Sequence, residues 1–173
     1  MAISDHYGRE IDSESAFDVP VAWRGGAVSG CVATLATMLV ILPIEPEMFS
    51  ETIAGMYGLE GVMAVGVLAH VLHGTLFGLL FAGVLSDPGV VGITNWLWKT
   101  VLAGIIFGLS LAVMATGFVL PAWAQFVGLT DPPTMPYVTS TLLAWHVLYG
   151  AVLGVVFPFL ENPDSVLRSV LGW

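Results

Sequence analysis

Four long segments of this chain contain no charged residue, and they constrain its fold more than any other feature. They lie at residues 25–44, 61–86, 100–130 and 132–160, and a charged residue bounds each of them. A helix needs about 20 apolar residues to cross the hydrocarbon layer of a bilayer, and every segment is long enough. Hydrophobic residues make up 57% of the 173 residues and charged residues 10%, against roughly 25% charged in soluble domains. The sequence therefore predicts an all-α integral membrane protein that crosses the bilayer four times.

Prolines stand at the predicted ends of these helices, because proline interrupts a helix interior. Examples are Pro43 after the first helix, Pro88 after the second and Pro121 after the third. The predicted segments are an acidic tail at 1–21, helices at 22–43, 60–85, 94–120 and 137–160, outer loops at 44–59 and 121–136, an inner turn at 86–93 and a C-terminal tail at 161–173. The four helices thus form two hairpins, at 22–85 and 94–160.

The few basic residues all fall at one end of the predicted helices. They are Arg9, Arg24, Lys99 and Arg168. Cytoplasmic ends of membrane helices are enriched in lysine and arginine, so both termini are predicted to be cytoplasmic, with the protein in the plasma membrane. The first residues are acidic, unlike the basic start of a signal peptide, and we expect them to remain as an aqueous tail.

The second and fourth helices share a block of residues in the same order and spacing. The block pairs His70 with His146, Gly74 with Gly150, Gly78 with Gly154 and Phe81 with Phe157. The first and third helices share a glycine pair near the start and a Leu-Pro end. The sequence therefore predicts two tandem hairpin repeats in parallel orientation, related by an axis along the membrane normal, as in parallel-repeat transporters.

Each predicted helix contains a Gly-x-x-x-Gly pair. The pairs are Gly26 and Gly30, Gly74 and Gly78, Gly104 and Gly108, and Gly150 and Gly154. Such a pair removes side chains from one stripe of a helix and lets two backbones approach closely. The pairs predict a tightly packed layer toward the cytoplasmic side. The partner helix could belong to the same chain or to a second chain.

His70, His73 and His146 lie near the middle of their segments, where ionisable side chains are costly and often functional. Three interpretations remain open. The histidines could form hydrogen bonds between helices, or line a path for protons or solutes. Alternatively, His70 and His146 could ligate haem b, with His73 nearby, because the predicted symmetry places them at equal depth on parallel helices. A Soret band would identify haem, and pH-dependent flux would identify a path.

Two further features bear on the outer half. Between Glu47 and Tyr57 the apolar residues fall near one side of a helix, which predicts a short helix at the membrane interface or a lid over the bundle. Trp145 lies next to His146 and is predicted to act as a packing wedge or as the wall of a pocket.

Charge and composition argue against several classes of function. Thirteen acidic residues against four basic ones give a net charge of −9, which disfavours nucleic acid as a partner. The single cysteine, Cys31, excludes an intrachain disulfide and a cysteine metal cluster. The charge-free segments contain no carboxylate that could partner a serine or threonine nucleophile. Enzymatic activity is therefore not the preferred prediction.

The repeated His-x-x-[His/Tyr]-Gly-x-x-x-Gly block, the length and the acidic aqueous surface resemble small uncharacterised four-helix membrane proteins of halophilic archaea. That resemblance implies a fold and no activity. The preferred function is a non-enzymatic membrane protein without a cofactor, which contacts the lipid bilayer and packs through its glycines as a homo-oligomer or an accessory subunit. The alternatives are a haem b electron carrier linked to quinones and a small channel or carrier lined by the histidines.

Overall fold

The computed structural model describes residues 22–171, and in this range helix is the only regular secondary structure. Four helices are long and apolar enough to cross a membrane. They are α1 (Trp23–Ile41), α2 (Met63–Leu85), α3 (Leu97–Phe126) and α4 (Ser140–Glu161). A π-helical segment (Met48–Ile53), a 3₁₀ helix (Val91–Asn95) and a short helix α5 (Pro163–Leu171) complete the fold. The predicted all-helical chain with four such helices is confirmed, whereas the predicted tail at 1–21 lies outside the described residues.

The starts of α2 and α4 differ from the predicted starts because a left-handed glycine and a capping threonine set them. Gly61 has a φ of +87°, and α2 begins after it. α4 begins at Ser140 because the Thr139 hydroxyl caps it, accepting a 3.1 Å hydrogen bond from the Leu142 N–H. The predicted C-terminal tail contains helix α5, whose Val166 is fully buried.

α3 continues past Pro121, which was predicted to end it. Its middle portion, Ala112–Val119, is π-helical. Proline cannot donate the backbone hydrogen bond that the carbonyl four residues earlier would accept. That carbonyl belongs to Gly117, and it accepts a 2.9 Å hydrogen bond from the Tyr137 N–H instead. The following loop thus satisfies the group that Pro121 leaves free, and the helix continues to Phe126.

α1 and α2 contact each other directly through their backbones. A Cβ atom built on Gly30 would lie 2.5 Å from the Gly74 carbonyl oxygen, and one built on Gly26 would lie 2.7 Å from the Gly78 carbonyl oxygen. Real Cβ contacts under 3.0 Å are essentially never seen. The two helices could therefore not approach this closely if these positions carried side chains.

α3 and α4 contact each other in the same way. A Cβ on Gly104 would lie 3.0 Å from the Gly154 Cα, and one on Gly108 would meet the His146 carbonyl oxygen. All four glycine pairs are buried between helices of one chain. They are therefore not free to form the contact with a second chain that the preferred functional prediction assigned to them.

The two hairpins dock mainly through α1 and α4. The Tyr149 hydroxyl on α4 donates a 2.7 Å hydrogen bond to the Gly74 carbonyl oxygen on α2. The Phe81 ring lies 5.3 Å from the Phe107 ring and 5.5 Å from the Phe157 ring, measured between centroids. By contrast, the backbones of α2 and α3 lie apart. Three pairs of neighbouring helices are consequently in close contact, α1–α2, α1–α4 and α3–α4, whereas α2 and α3 are separated.

We predict that Gly78→Ala lowers the stability of the detergent-solubilised protein by about 1–3 kcal/mol, the usual cost of overpacking. Its new methyl group would lie 2.6 Å from the Gly30 Cα. Gly83→Ala is the matched control, because Gly83 also lies in α2 but a Cβ there meets no atom within 4 Å. Equal effects of the two substitutions on the denaturation midpoint would contradict the close contact.

Candidate functional site

A cavity of about 710 Å³ lies in one half of the bundle, between α2 and α3 and in front of α1 and α4. This half carries the loops 42–62 and 127–139, and we name it the loop end. The opposite end, which carries Arg24, Lys99 and Arg168, is the turn end. The lining residues nearest the turn end are Thr34, Phe77, Ala115 and Tyr149. Because Thr34 lies one turn after Gly30 and Tyr149 directly precedes Gly150, the cavity begins at the edge of the glycine-packed layer.

His70, His73 and His146 all line this cavity. The sequence placed them at similar depth on two helices, and the structure brings them to one space. Their helical neighbours explain the arrangement. Gly74 and Gly150 hold the backbones together one turn away, and the larger histidine side chains point into the wider half.

Both ring nitrogens of His146 have hydrogen-bond partners. Nδ1 lies 2.9 Å from the Leu142 carbonyl oxygen, and Nε2 lies 3.1 Å from the Thr116 hydroxyl oxygen. Because a carbonyl can only accept, Nδ1 carries the proton of the neutral ring and Nε2 accepts from Thr116. Thr116 belongs to the π-helical part of α3, a type of helix distortion that is frequent at functional sites. His146 thus joins α4 to α3 across the back of the cavity.

The loop after α1 supplies partners for the other histidines. His73 Nε2 and the Tyr57 hydroxyl share a 2.6 Å hydrogen bond. Phe49 packs edge-on against His70 with 5.2 Å between ring centroids, and its side chain is fully buried. The π-helical segment that carries Phe49 is packed on α2. The predicted short helix is therefore present as this segment, and it packs on α2.

Two of the polar side chains that line the cavity within the transmembrane helices, Trp145 and His70, make no hydrogen bond among residues 22–171. The indole Nε1 of Trp145 is buried without a partner, and His70 has an aromatic neighbour but no hydrogen-bonded one. Trp145 does line the pocket, in line with one of its predicted roles. An unpaired buried donor costs about 1–3 kcal/mol. These two groups are the ones with capacity for a bound molecule.

The rim of the cavity at the loop end is acidic. Its acidic residues are Glu45, Glu47, Glu51, Glu60 and Asp131. The loops that carry them are tied together, because the Thr130 hydroxyl donates to Glu60 at 2.9 Å and the Trp123 Nε1 donates to the Met56 carbonyl oxygen at 2.9 Å. Among the described residues, no three His, Cys, Asp or Glu side chains are grouped so as to hold a metal ion.

Several residues of this site were not singled out from the sequence. Thr116 and Thr37 face the cavity, but each is a single hydroxyl in a long apolar segment and carries no spacing signal. The acidic residues of both loops carry no metal-ligand spacing in the sequence, and their convergence on one rim depends on how the hairpins dock. The sequence did indicate the histidines, which are rare at that depth, the neighbouring Trp145, Gly74 and the short helix between Glu47 and Tyr57.

We predict that Thr116→Val destabilises the protein by about 1 kcal/mol, because it leaves the partly buried His146 Nε2 without a donor. Thr116→Ser should retain most of the stability, since the hydroxyl remains. Ser110→Ala is a control on the same helix, where an exposed hydroxyl bonds only the Ile106 carbonyl of its own turn. If the valine and serine variants unfold at the same denaturant concentration, the Thr116–His146 bond contributes nothing measurable.

Comparisons of the chain with protein-family models, with curated proteins and with solved structures found no match. The function is therefore argued from the geometry of the cavity.

Proposed function

We propose that this protein is a non-enzymatic membrane protein that binds a small molecule in the cavity at the loop end, as a carrier or as the ligand-binding subunit of a larger membrane complex. The observation that carries the proposal is a cavity of about 710 Å³ whose lining includes Trp145, with a buried indole N–H that has no partner among residues 22–171. A cavity kept only for packing would not be expected to hold an unpaired indole N–H.

The shape of the bundle favours binding over a continuous channel. Toward the turn end the space between the helices is filled by Phe81 and Phe157, which are 1% and 2% exposed. The glycine contacts of both hairpins lie in the same half. A solute that entered the cavity would therefore stop near Tyr149, so a transport role would require the hairpins to move relative to one another.

Hydroxyl groups in the transmembrane helices support the non-enzymatic reading. Thr34 and Thr37 donate to carbonyl oxygens of their own helix, at 2.8 Å and 2.5 Å. Thr116 and His146 do form a hydroxyl–imidazole pair, but the group behind the imidazole is a helix carbonyl and not the carboxylate of a catalytic triad. We interpret this pair as a tie between helices.

The two hairpins are further proposed to be tandem repeats. In support, Gly26 contacts Gly78 as Gly104 contacts Gly154, and these residues correspond under the repeat. The repeats have diverged at one position that shapes the cavity. Tyr149, which occupies the position of His73, bonds the Gly74 carbonyl across the bundle, whereas His73 turns to Tyr57 in the loop.

Haem b is the second candidate ligand, favoured by the presence of His70 and His146 around one cavity. Ligation by His146 would require its Nε2 to leave the Thr116 hydroxyl. Because this rearrangement costs a hydrogen bond, an organic ligand that uses the unpaired groups is the better-supported proposal. Assembly with itself or with other subunits would use a lipid-facing surface, since the glycine pairs are already occupied.

We expect native mass spectrometry of the protein, released from its membranes in mild detergent, to detect a retained small molecule. His70→Trp should lose most of it, because the indole fills the cavity and removes the unpaired imidazole. Leu72→Trp is the matched control on the outer face of α2, where Leu72 is 55% exposed, and it should retain the molecule. A retained mass equal to haem b would favour the second candidate, and equal retention in both variants would contradict a ligand in the cavity.

We also propose that the loop end faces the outside, because Arg24, Lys99 and Arg168 lie at the turn end. With Cys31 replaced by alanine, we expect Leu59→Cys to react with a membrane-impermeant maleimide on intact cells. Gly92→Cys, at an exposed position in the turn with no atom near its Cβ, should react only after lysis. The reverse labelling pattern would place the cavity on the cytoplasmic side.

A further inference from the structure

We propose that the ligand is an uncharged amphiphile, with an apolar body and an oxygen-bearing head, that enters the cavity sideways from the bilayer through the gap between α2 and α3. This inference rests on the proposed function, because it specifies the class of ligand and the route for the same cavity.

The gap follows from how the helices are joined. α1 with α2, and α3 with α4, are closed by glycine contacts, and α1 with α4 forms a broad interface. α2 and α3 have no comparable backbone contact. Their side chains meet at Phe81 and Phe107 toward the turn end, and the Trp123–Met56 hydrogen bond spans the other end. Between these two links the cavity has α2 on one side and α3 on the other.

The edges of the gap are apolar. Phe77 lines the cavity from α2, and Ala115 and Val119 line it from α3. Val119 is also 62% exposed, so this side chain borders both the cavity and the outer surface of the bundle. In a helix of this hydropathy that outer surface faces lipid. A molecule could therefore pass from lipid to cavity along side chains as apolar as lipid tails.

The interior is suited to a head group that accepts hydrogen bonds. The indole Nε1 of Trp145 can only donate, and it is buried without an acceptor among residues 22–171. The imidazole of His70, which also lines the cavity, offers a donor or an acceptor. A carbonyl, ester or hydroxyl oxygen in the cavity would pair with His70, and it would accept from the indole N–H once the Trp145 ring turned toward the cavity. The head would then lie in the polar interior with the apolar body in the gap.

Charge decides between this ligand and water-soluble ones. An anionic head would meet the carboxylates of the rim at the loop end, with like-charge repulsion. Moving a charged head group of either sign through the apolar gap would also be energetically unfavourable. A small cation could instead be drawn from water by the acidic rim, and that is the outcome which the experiment must separate from our proposal.

The test uses the full chain in lipid vesicles, with a monoacylglycerol that carries a diazirine in its acyl chain as the probe. After brief illumination, labelled peptides are mapped by mass spectrometry. We expect label on cavity residues of α2 and α4, at least tenfold reduced by excess unlabelled monoacylglycerol and unchanged by tetraethylammonium. Val119→Trp should slow the initial rate of cavity labelling several-fold by narrowing the gap. Met114→Trp is the matched control, because Met114 is 63% exposed on the same helix and does not line the cavity.

Label confined to lipid-facing positions such as Leu72 and Leu76, or equal rates in the two tryptophan variants, would overturn the proposal. Displacement of the retained native molecule by tetraethylammonium, with no cavity label from the lipid probe, would overturn the amphiphile while leaving a binding function intact. Absence of a retained molecule together with absence of cavity label would overturn both.

Discussion

The direct contact of helix backbones at the glycine pairs is the interaction on which the rest of this structure depends. Within a bilayer there is no hydrophobic force between helices, and close packing of small residues provides much of their attraction. Here the glycine pairs of both hairpins meet in the same half of the bundle. On α2 the same helix face carries His70 beyond Gly74, and on α4 the last close contact is that of Gly108 with the His146 backbone. The helices therefore separate toward the loop end, and the cavity forms there.

The second constraint is that polar groups in a membrane must find partners inside the protein. The hydroxyls of Thr34 and Thr37 in α1 find partners nearby, by donating to carbonyl oxygens one turn earlier. Near Pro121 the partner is distant in sequence, since the Gly117 carbonyl oxygen accepts from the Tyr137 N–H. Against this background, the Nε1 of Trp145 is an exception, because it is buried without a partner among residues 22–171.

The two hairpins, which we propose to be repeats, differ at a position that contributes to the cavity wall. Tyr149 donates to the Gly74 carbonyl oxygen across the bundle, whereas His73, at the matching position of the proposed repeat, shares a hydrogen bond with Tyr57 in the loop after α1. A gap between α2 and α3 remains because the hairpins dock through α1 and α4, which leaves α2 and α3 on the side of the bundle without direct backbone contact.

The sequence by itself determined that the chain has four helices able to cross a membrane, because a long apolar segment without charge can be read directly from consecutive residues. Exposing such segments to water would be unfavourable. The sequence also indicated the histidines, since ionisable groups are rare at that depth. It did not determine that the glycine pairs join helices of one chain, because the same stripe serves an intrachain or an interchain contact equally well. Nor could it place Thr116 beside His146, continue α3 through Pro121 or bring two acidic loops to one rim. Those features depend on contacts between segments that are far apart in the sequence, and such contacts form only when the helices pack against one another.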